Sequence, residues 1–165
     1  MPRDMMNSIE DPYERLEALG VKLPPARPPV GLFVPVQIFN GMAFVSGQGP
    51  VAPGGQRHTG KVGSEVSVDD AYHHARLVGV NLLAVLHDQL GSLRRIERIV
   101  KVLGFVNGAP GFGDHPRVIN GCSDLLLSVF GPDRGAHARS AIGAGSLPNG
   151  ITVEIELIVG LSPAG

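Results

Sequence analysis

Residues His137 to Glu156 read HARSAIGAGSLPNGITVEIE, two runs with strand character on either side of the turn Leu147-Pro148-Asn149-Gly150. In the second run Ile155, Leu157 and Val159 alternate with Glu154, Glu156 and Ile158, the period of two expected of a strand with one apolar side and carboxylates near its start. The spacing predicts strands at Ala138 to Ala144 and Ile151 to Gly160, closed into a hairpin that brings the cation of Arg139 and the carboxylate of Glu154 to one pocket. A structural ion pair between neighbouring strands has the same pattern, so the residues alone leave both readings open. Glu156 shares a face with Glu154 and suits a structural or interface role.

Upstream of this segment the chain alternates strands and helices. A helix starts near Asp114-His115-Pro116, turns an apolar face made of Val118, Cys122, Leu125, Leu126 and Val129, and is expected to end at Gly131. Before it, Ile96 to Val106 reads as a largely buried strand. A longer helix opens at Ser67, whose spacing to Asp70 resembles a capping box, shows Ala71, Ala75, Val78, Leu82 and Val85 on one face, and stops at Gly91. Val51 to Gly63 is a Gly- and Pro-rich loop, and Phe33 to Phe39 and Met42 to Ser46 form a hairpin about Asn40-Gly41. The first 30 residues are read as a separate N-terminal unit, an amphipathic helix over Ile9 to Leu19 and a stiff connector, Leu23-Pro24-Pro25-Ala26-Arg27-Pro28-Pro29; residues 31–165 are the domain proper.

The predicted order of hairpin, helix, strand, helix, hairpin gives an α+β fold with two main helices on one face of a mixed sheet. The other face needs a cover, because an exposed apolar sheet is a large patch, and a homo-oligomer is the simplest one. At 165 residues the chain has the size of one domain. Aromatic residues make up 5% and Trp is absent, so the core is aliphatic, and a net charge of −1 argues against a nonspecific nucleic-acid binder. One cysteine, Cys122, excludes an internal disulfide and suits the cytoplasm. No run of about 20 apolar residues calls for a membrane, and the charged start MPRDMMNSIEDPYERLEAL has no export signal's apolar core.

Val45-Ser46-Gly47-Gln48, Ala138-Arg139-Ser140, Leu147-Pro148 and Val153-Glu154-Ile155-Glu156, in this order and spacing, resemble the Rid family, also called YjgF or L-PSP proteins. The resemblance covers roughly Gly31 to Val159. It is nearer to a less characterised branch, with segments like Gly104-Phe105-Val106-Asn107, Ile119-Asn120-Gly121-Cys122-Ser123-Asp124 and a His-Ala-Arg-Ser run. It implies a chorismate-mutase-like fold, a homotrimer with helices outside and sheets facing a central barrel, and pockets between neighbouring subunits. It also implies enamine or imine deamination, with a ribonuclease label attached to some members. Carried over by position, Arg139 falls on the arginine that binds the substrate carboxylate and Glu154 on the glutamate that positions water. Phe33, Ser46, Gly47, Asn120 and Ala141 fall on positions lining the pocket. Active deaminases of the family commonly carry tyrosine where this chain has Phe33, so a phenolic hydrogen-bond donor is missing here.

These residue types fit that chemistry. Arginine holds a carboxylate through two parallel hydrogen bonds, which lysine does not, and a carboxylate within reach of a water both orients it and takes its proton. The expected ligand is a small carboxylate-bearing metabolite, with neither a metal nor an organic cofactor. The adjacent His73 and His74 diverge by about 100 degrees on a helix and lack metal-ligand spacing. Cys122, on an apolar helix face, reads as an inert buried thiol. The run Gly108 to Gly113 lacks the Lys-Ser/Thr ending of a phosphate loop. The alternative function is a trimeric binder of carboxylate metabolites that turns nothing over.

Overall fold

The structure is a computed structural model that describes residues 11–163. The hairpin expected around Asn40-Gly41 forms from β1, Val36–Phe39, and β2, Met42–Gln48. Asn40 and Gly41 both take positive φ, 48° and 71°, which is what a two-residue turn matched to strand twist requires. Phe33 to Pro35 lie outside the ladder, so the first strand begins three residues later than its β character suggested. Proline at 35 donates no N–H, and this stretch is held instead by Ser46, whose N–H bonds the Pro35 carbonyl at 2.9 Å and whose Oγ donates to Val34 O at 2.8 Å.

The long amphipathic segment is a helix over Val68–Leu90; it follows α1, Pro12–Ala18, and is α2. Ser67 Oγ accepts the Asp70 N–H at 3.0 Å and donates to Asp70 Oδ2 at 2.7 Å, and Gly91 ends the helix in the left-handed region at φ 76°. Strand β3, Ile96–Val106, leads to α3, His115–Gly135, then β4, Ala138–Gly143, and β5, Val153–Leu161. The expected stop at Gly131 is a break in α3: Gly131 is non-helical (φ 76°, ψ 173°), and the chain resumes one further helical turn at Pro132, which suits a helix start. At the break Gly131 packs against the guanidinium of Arg15 from α1, while Leu16 of α1 is buried in the same core as the sheet and long helices. The Ile9 end of the predicted first helix lies outside the described residues.

The five strands run in the order β1-β2-β5-β3-β4, with β3 and β4 parallel and the other pairs antiparallel. The predicted closing hairpin is therefore incorrect: β4 and β5 do not pair, because β3 lies between them. Helix α3 returns the chain to the start of β3, so β4 joins parallel at the sheet edge. Strand β5 takes the interior slot and pairs on both sides, with Val153, Ile155, Leu157 and Val159 buried on its helix-covered face. The connection from β4 to β5 is pinned by Lys61, whose Nζ donates to Asn107 Oδ1 and to Gly145 O, both at 2.7 Å, and by Asn107 N–H to Thr152 O at 2.8 Å.

Both long helices cover one face, and glycines set how closely. A Cβ on Gly121 of α3 would collide with the Tyr72 carbonyl oxygen of α2, and one on Gly79 of α2 would lie 2.9 Å from a Leu125 methyl. Ile119 presses on the sheet where Gly104 of β3 leaves room, at 2.5 Å from the position of a Cβ. The opposite sheet face carries no helix and leaves Phe39 66%, Phe44 41% and Ile142 47% exposed, with Glu154 and Glu156 among them. Among the described residues no helix is long and apolar enough to cross a membrane.

Gly121→Ala is expected to destabilise the fold by roughly 3 kcal/mol, the range of overpacking against unyielding backbone. Urea unfolding should show it as a lower midpoint with an unchanged slope.

Candidate functional site

Strand β4 is an edge strand, and its parity fixes where Arg139 points. Arg139 is paired with Val102, which is fully buried under the helices, so its side chain lies on the helix-covered side rather than on the open face. There α3 meets it with residues one turn apart, Asn120 and Ser123. Arg139 Nη1 donates to Asn120 Oδ1 at 2.8 Å and to Ser123 Oγ at 3.1 Å, and Nη2 makes a marginal contact with Pro116 O at 3.5 Å. Ser123 Oγ also lies 3.0 Å from His137 Nε2, and His137 Nδ1 lies 2.6 Å from Gly135 O. Ala141 follows on the same side of β4, paired with Gly104. Among the described residues no carboxylate stands within ion-pair distance of Arg139, which removes the reading of Arg139 and Glu154 as a structural ion pair.

Glu154 belongs to the other face. It alternates with the buried Val153 and Ile155 and is paired with Phe105 across β3. On its other side β2 carries a bulge: Val45 pairs with Leu157 and Gln48 with Ile155, so Ser46 and Gly47 together oppose the single Glu156. The bulge turns Gly47 toward Glu154, whose Oε1 stands 2.6 Å from where a Gly47 Cβ would be, a place only glycine leaves free. Burial, and secondarily the neighbouring Glu156 charge, raise the Glu154 carboxyl above its ordinary range. Phe33 and Gly47 share a cleft of about 210 Å³ with Pro148 and Asn149 from the β4 to β5 connection and Arg57 at its edge.

The predicted site residues thus fall into two groups. Arg139, Asn120 and Ala141 stand together between β4 and α3. Phe33, Ser46, Gly47 and Glu154 stand together around the β2 bulge. Within the chain the groups occupy opposite sides of the sheet with β3 between the strands of Arg139 and Glu154, so these two residues do not converge. Ser123 and His137 join the Arg139 group without having been singled out for it, although the three-residue step from Asn120 to Ser123 placed both on one helix face.

The remaining candidates have structural roles. Cys122 is fully buried between the long helices, and burial pushes its thiol up to about 12. His74 stacks on His58 with ring centroids 4.2 Å apart and bonds Thr152 Oγ1 at 3.0 Å; burial and then His58 push its pKa down to about 4. His73 instead sets its ring edge-on to Tyr72.

Comparison with known proteins agrees with the fold. Residues 13–158 match the sequence model of a family described as "YjgF/chorismate mutase-like, putative endoribonuclease". A curated relative, Protein TCP17 of Trypanosoma cruzi, is 39% identical over 147 residues, spanning 89% of this chain and 92% of its own. Among solved structures, a "putative endoribonuclease" of Shewanella oneidensis superposes with a TM-score of 0.87 at 30% identity, over 92% of this chain and 99% of its own. Protein Atu1372 of Agrobacterium tumefaciens, of unknown function, superposes with a TM-score of 0.83 at 38% identity, over 96% and 97%. An α+β chain with one mixed sheet and three α-helices among its described residues, and with this family match over most of its length, belongs to the YjgF/chorismate mutase-like family, the Rid proteins.

Proposed function

We propose that this chain is a hydrolytic deaminase of small 2-imino or 2-enamino acids, with each site shared between two copies of a homotrimer. The observation that carries the reading is a guanidinium oriented by neutral oxygens and, among the described residues, without an acid partner. Buried side-chain polar atoms all have partners among the described residues, so an unbonded edge of Arg139 reaches solvent and can take a carboxylate. Because Glu154 lies on the opposite side of the same sheet, a site using both residues needs Arg139 from one copy and Glu154 from another. The open face with Phe39, Phe44 and Ile142 supplies an apolar surface for such an assembly.

In the proposed reaction Arg139 holds the substrate carboxylate and orients the C=N carbon toward a water near Glu154. The water oxygen bonds to that carbon, the C=N π pair moves to nitrogen, and the water proton goes to Glu154. Glu154 then returns the proton to the nitrogen to give the neutral carbinolamine. It next takes the carbinolamine's hydroxyl proton and passes it to the nitrogen as the C–N bond breaks, so that the C–O bond becomes the carbonyl of the 2-oxo acid and ammonia leaves. A carboxyl raised above its ordinary range is a stronger base than an exposed one. We place the protein in the cytoplasm, where the reduced Cys122 is at home.

Phe33 favours a second reading. It lines the Gly47 cleft without a phenol, which suits a trimer that binds carboxylate metabolites and releases them unchanged. Pyruvate would then raise the melting temperature while imino acids decay at the buffer rate. The family's endoribonuclease description has its own test, RNA cleavage that survives Arg139→Ala after removal of contaminating nuclease.

Deamination should be followed as ammonia release from freshly generated 2-iminopropanoate. Arg139→Ala and Glu154→Ala are each expected to lower kcat/KM by about a hundredfold; a wild-type rate equal to buffer removes the enzymatic reading. Mixing the two inactive variants through reversible dissociation should restore about one quarter of the activity, since random exchange gives that share of interfaces both intact halves. No recovery in a verified mixed trimer refutes the shared site.

Glu154→Gln is expected to stabilise the protein at neutral pH. The folded carboxyl binds its proton more tightly than the unfolded one, so ionised Glu154 opposes folding above its raised pKa. The advantage of the variant should shrink as pH falls through that pKa and vanish below the ordinary value of 4.5. A difference independent of pH in thermal melts would exclude this origin.

A further inference from the structure

We propose that Ser123 and His137 are positioning residues that dictate which edge of Arg139 receives a carboxylate, namely the Nε–Nη2 edge. The inference rests on the reading of Arg139 as the ligand-binding cation. A guanidinium carries five N–H donors and offers a carboxylate two parallel pairs, Nη1 with Nη2 or Nε with Nη2. Here both Nη1 hydrogens are consumed, one by Asn120 Oδ1 at 2.8 Å and one by Ser123 Oγ at 3.1 Å. Among the described residues Nε has no hydrogen-bond partner and Nη2 only the 3.5 Å contact to Pro116 O. The side-on edge is thus the pair left for a ligand.

The second half of the argument is the direction of the bonds behind Nη1. Gly135 O can only accept, so at 2.6 Å the His137 Nδ1 is the protonated nitrogen. In the neutral ring Nε2 is then a bare acceptor, and at 3.0 Å it takes the Ser123 hydroxyl proton. With that proton directed at His137, Ser123 Oγ faces Arg139 with its lone pairs and accepts from Nη1. The carbonyl of Gly135, through His137 and Ser123, therefore fixes the guanidinium's rotation. Asn120 alone would hold a single Nη1 hydrogen and leave the plane free to swing. This gives a physical role to the histidine of the His-Ala-Arg-Ser run and to the serine three residues beyond Asn120, neither of which takes part in the proposed chemistry.

The test uses full-length protein, pyruvate as the probe ligand, and three readouts. Long-range ¹H–¹⁵N spectra of neutral His137 should show a protonated Nδ1 and a bare Nε2; the reverse tautomer overturns the relay. Pyruvate should shift the Arg139 Nε–H resonance, identified by its loss in Arg139→Lys. Binding without that shift overturns the edge assignment. Ser123→Ala and His137→Phe should each weaken pyruvate roughly tenfold, the scale of one hydrogen bond to a charged group. His137→Gln, whose amide oxygen can accept the serine proton, should recover most of the loss, which a merely structural role would not grant. If Arg139→Lys binds pyruvate as the wild type does, the ligand reading fails and this inference with it. If Arg139→Lys weakens binding while Ser123→Ala and folded His137→Phe do not, the relay alone is refuted.

Discussion

The arrangement depends on how closely the two long helices approach at Gly121. Contact between that glycine and the Tyr72 carbonyl leaves no room for a side chain, so α3 can sit at only one depth and rotation relative to α2. Gly104 imposes a matching constraint from below, by letting Ile119 press onto β3. Between these two contacts, Asn120 and Ser123 have no choice but to face the sheet edge where Arg139 emerges. The geometry of the cation is thus a consequence of helix packing, and it is made by small residues that themselves touch no ligand.

The Glu154 side is built on a different principle. There the backbone supplies the space, through a bulge that turns Gly47 toward the carboxylate. The carboxyl is held in a partly dry setting beside a second acid, which opposes folding while raising its basicity. Stability is given up at Glu154 and retained at Arg139, whose charge is met by three neutral oxygens. The two halves therefore tolerate separation in one chain: neither needs the other to be satisfied.

Elements with local punctuation could be read from the sequence. Ser67, Gly91 and the Asn40-Gly41 turn marked their boundaries because capping and positive φ are decided within a few residues. The family resemblance pointed to Arg139, Glu154 and Gly47 by position; of these the structure sets Gly47 against Glu154 and puts Arg139 on the other side of the sheet. The pairing of β5 escaped because alternation reports which face a strand buries and says nothing of its neighbours. A short turn at Pro148 to Gly150 suggested a hairpin, whereas the crossover through α3 had already committed β4 to the far side of β3. Ser123 and His137 escaped for a related reason, since a polar residue on an apolar helix face, or just ahead of a strand, acquires its meaning only from the element set beside it.

The fastening of the β4 to β5 connection by Lys61 has a consequence for selectivity. Two short hydrogen bonds from one ammonium, with the Asn107 bond to Thr152, hold this connection in place before any ligand arrives. Pro148 and Asn149 of the same connection wall the Phe33 cleft. A ligand entering there as the proposed function requires spends little of its binding free energy on ordering the chain, so few contacts suffice to hold a small acid. The same rigidity removes induced fit as a means of discrimination. Under the proposed function, preference among acids then comes from the fixed shape of the wall, and changes in the length or residues of this one connection would redirect that binding to other ligands without disturbing Arg139 or Glu154.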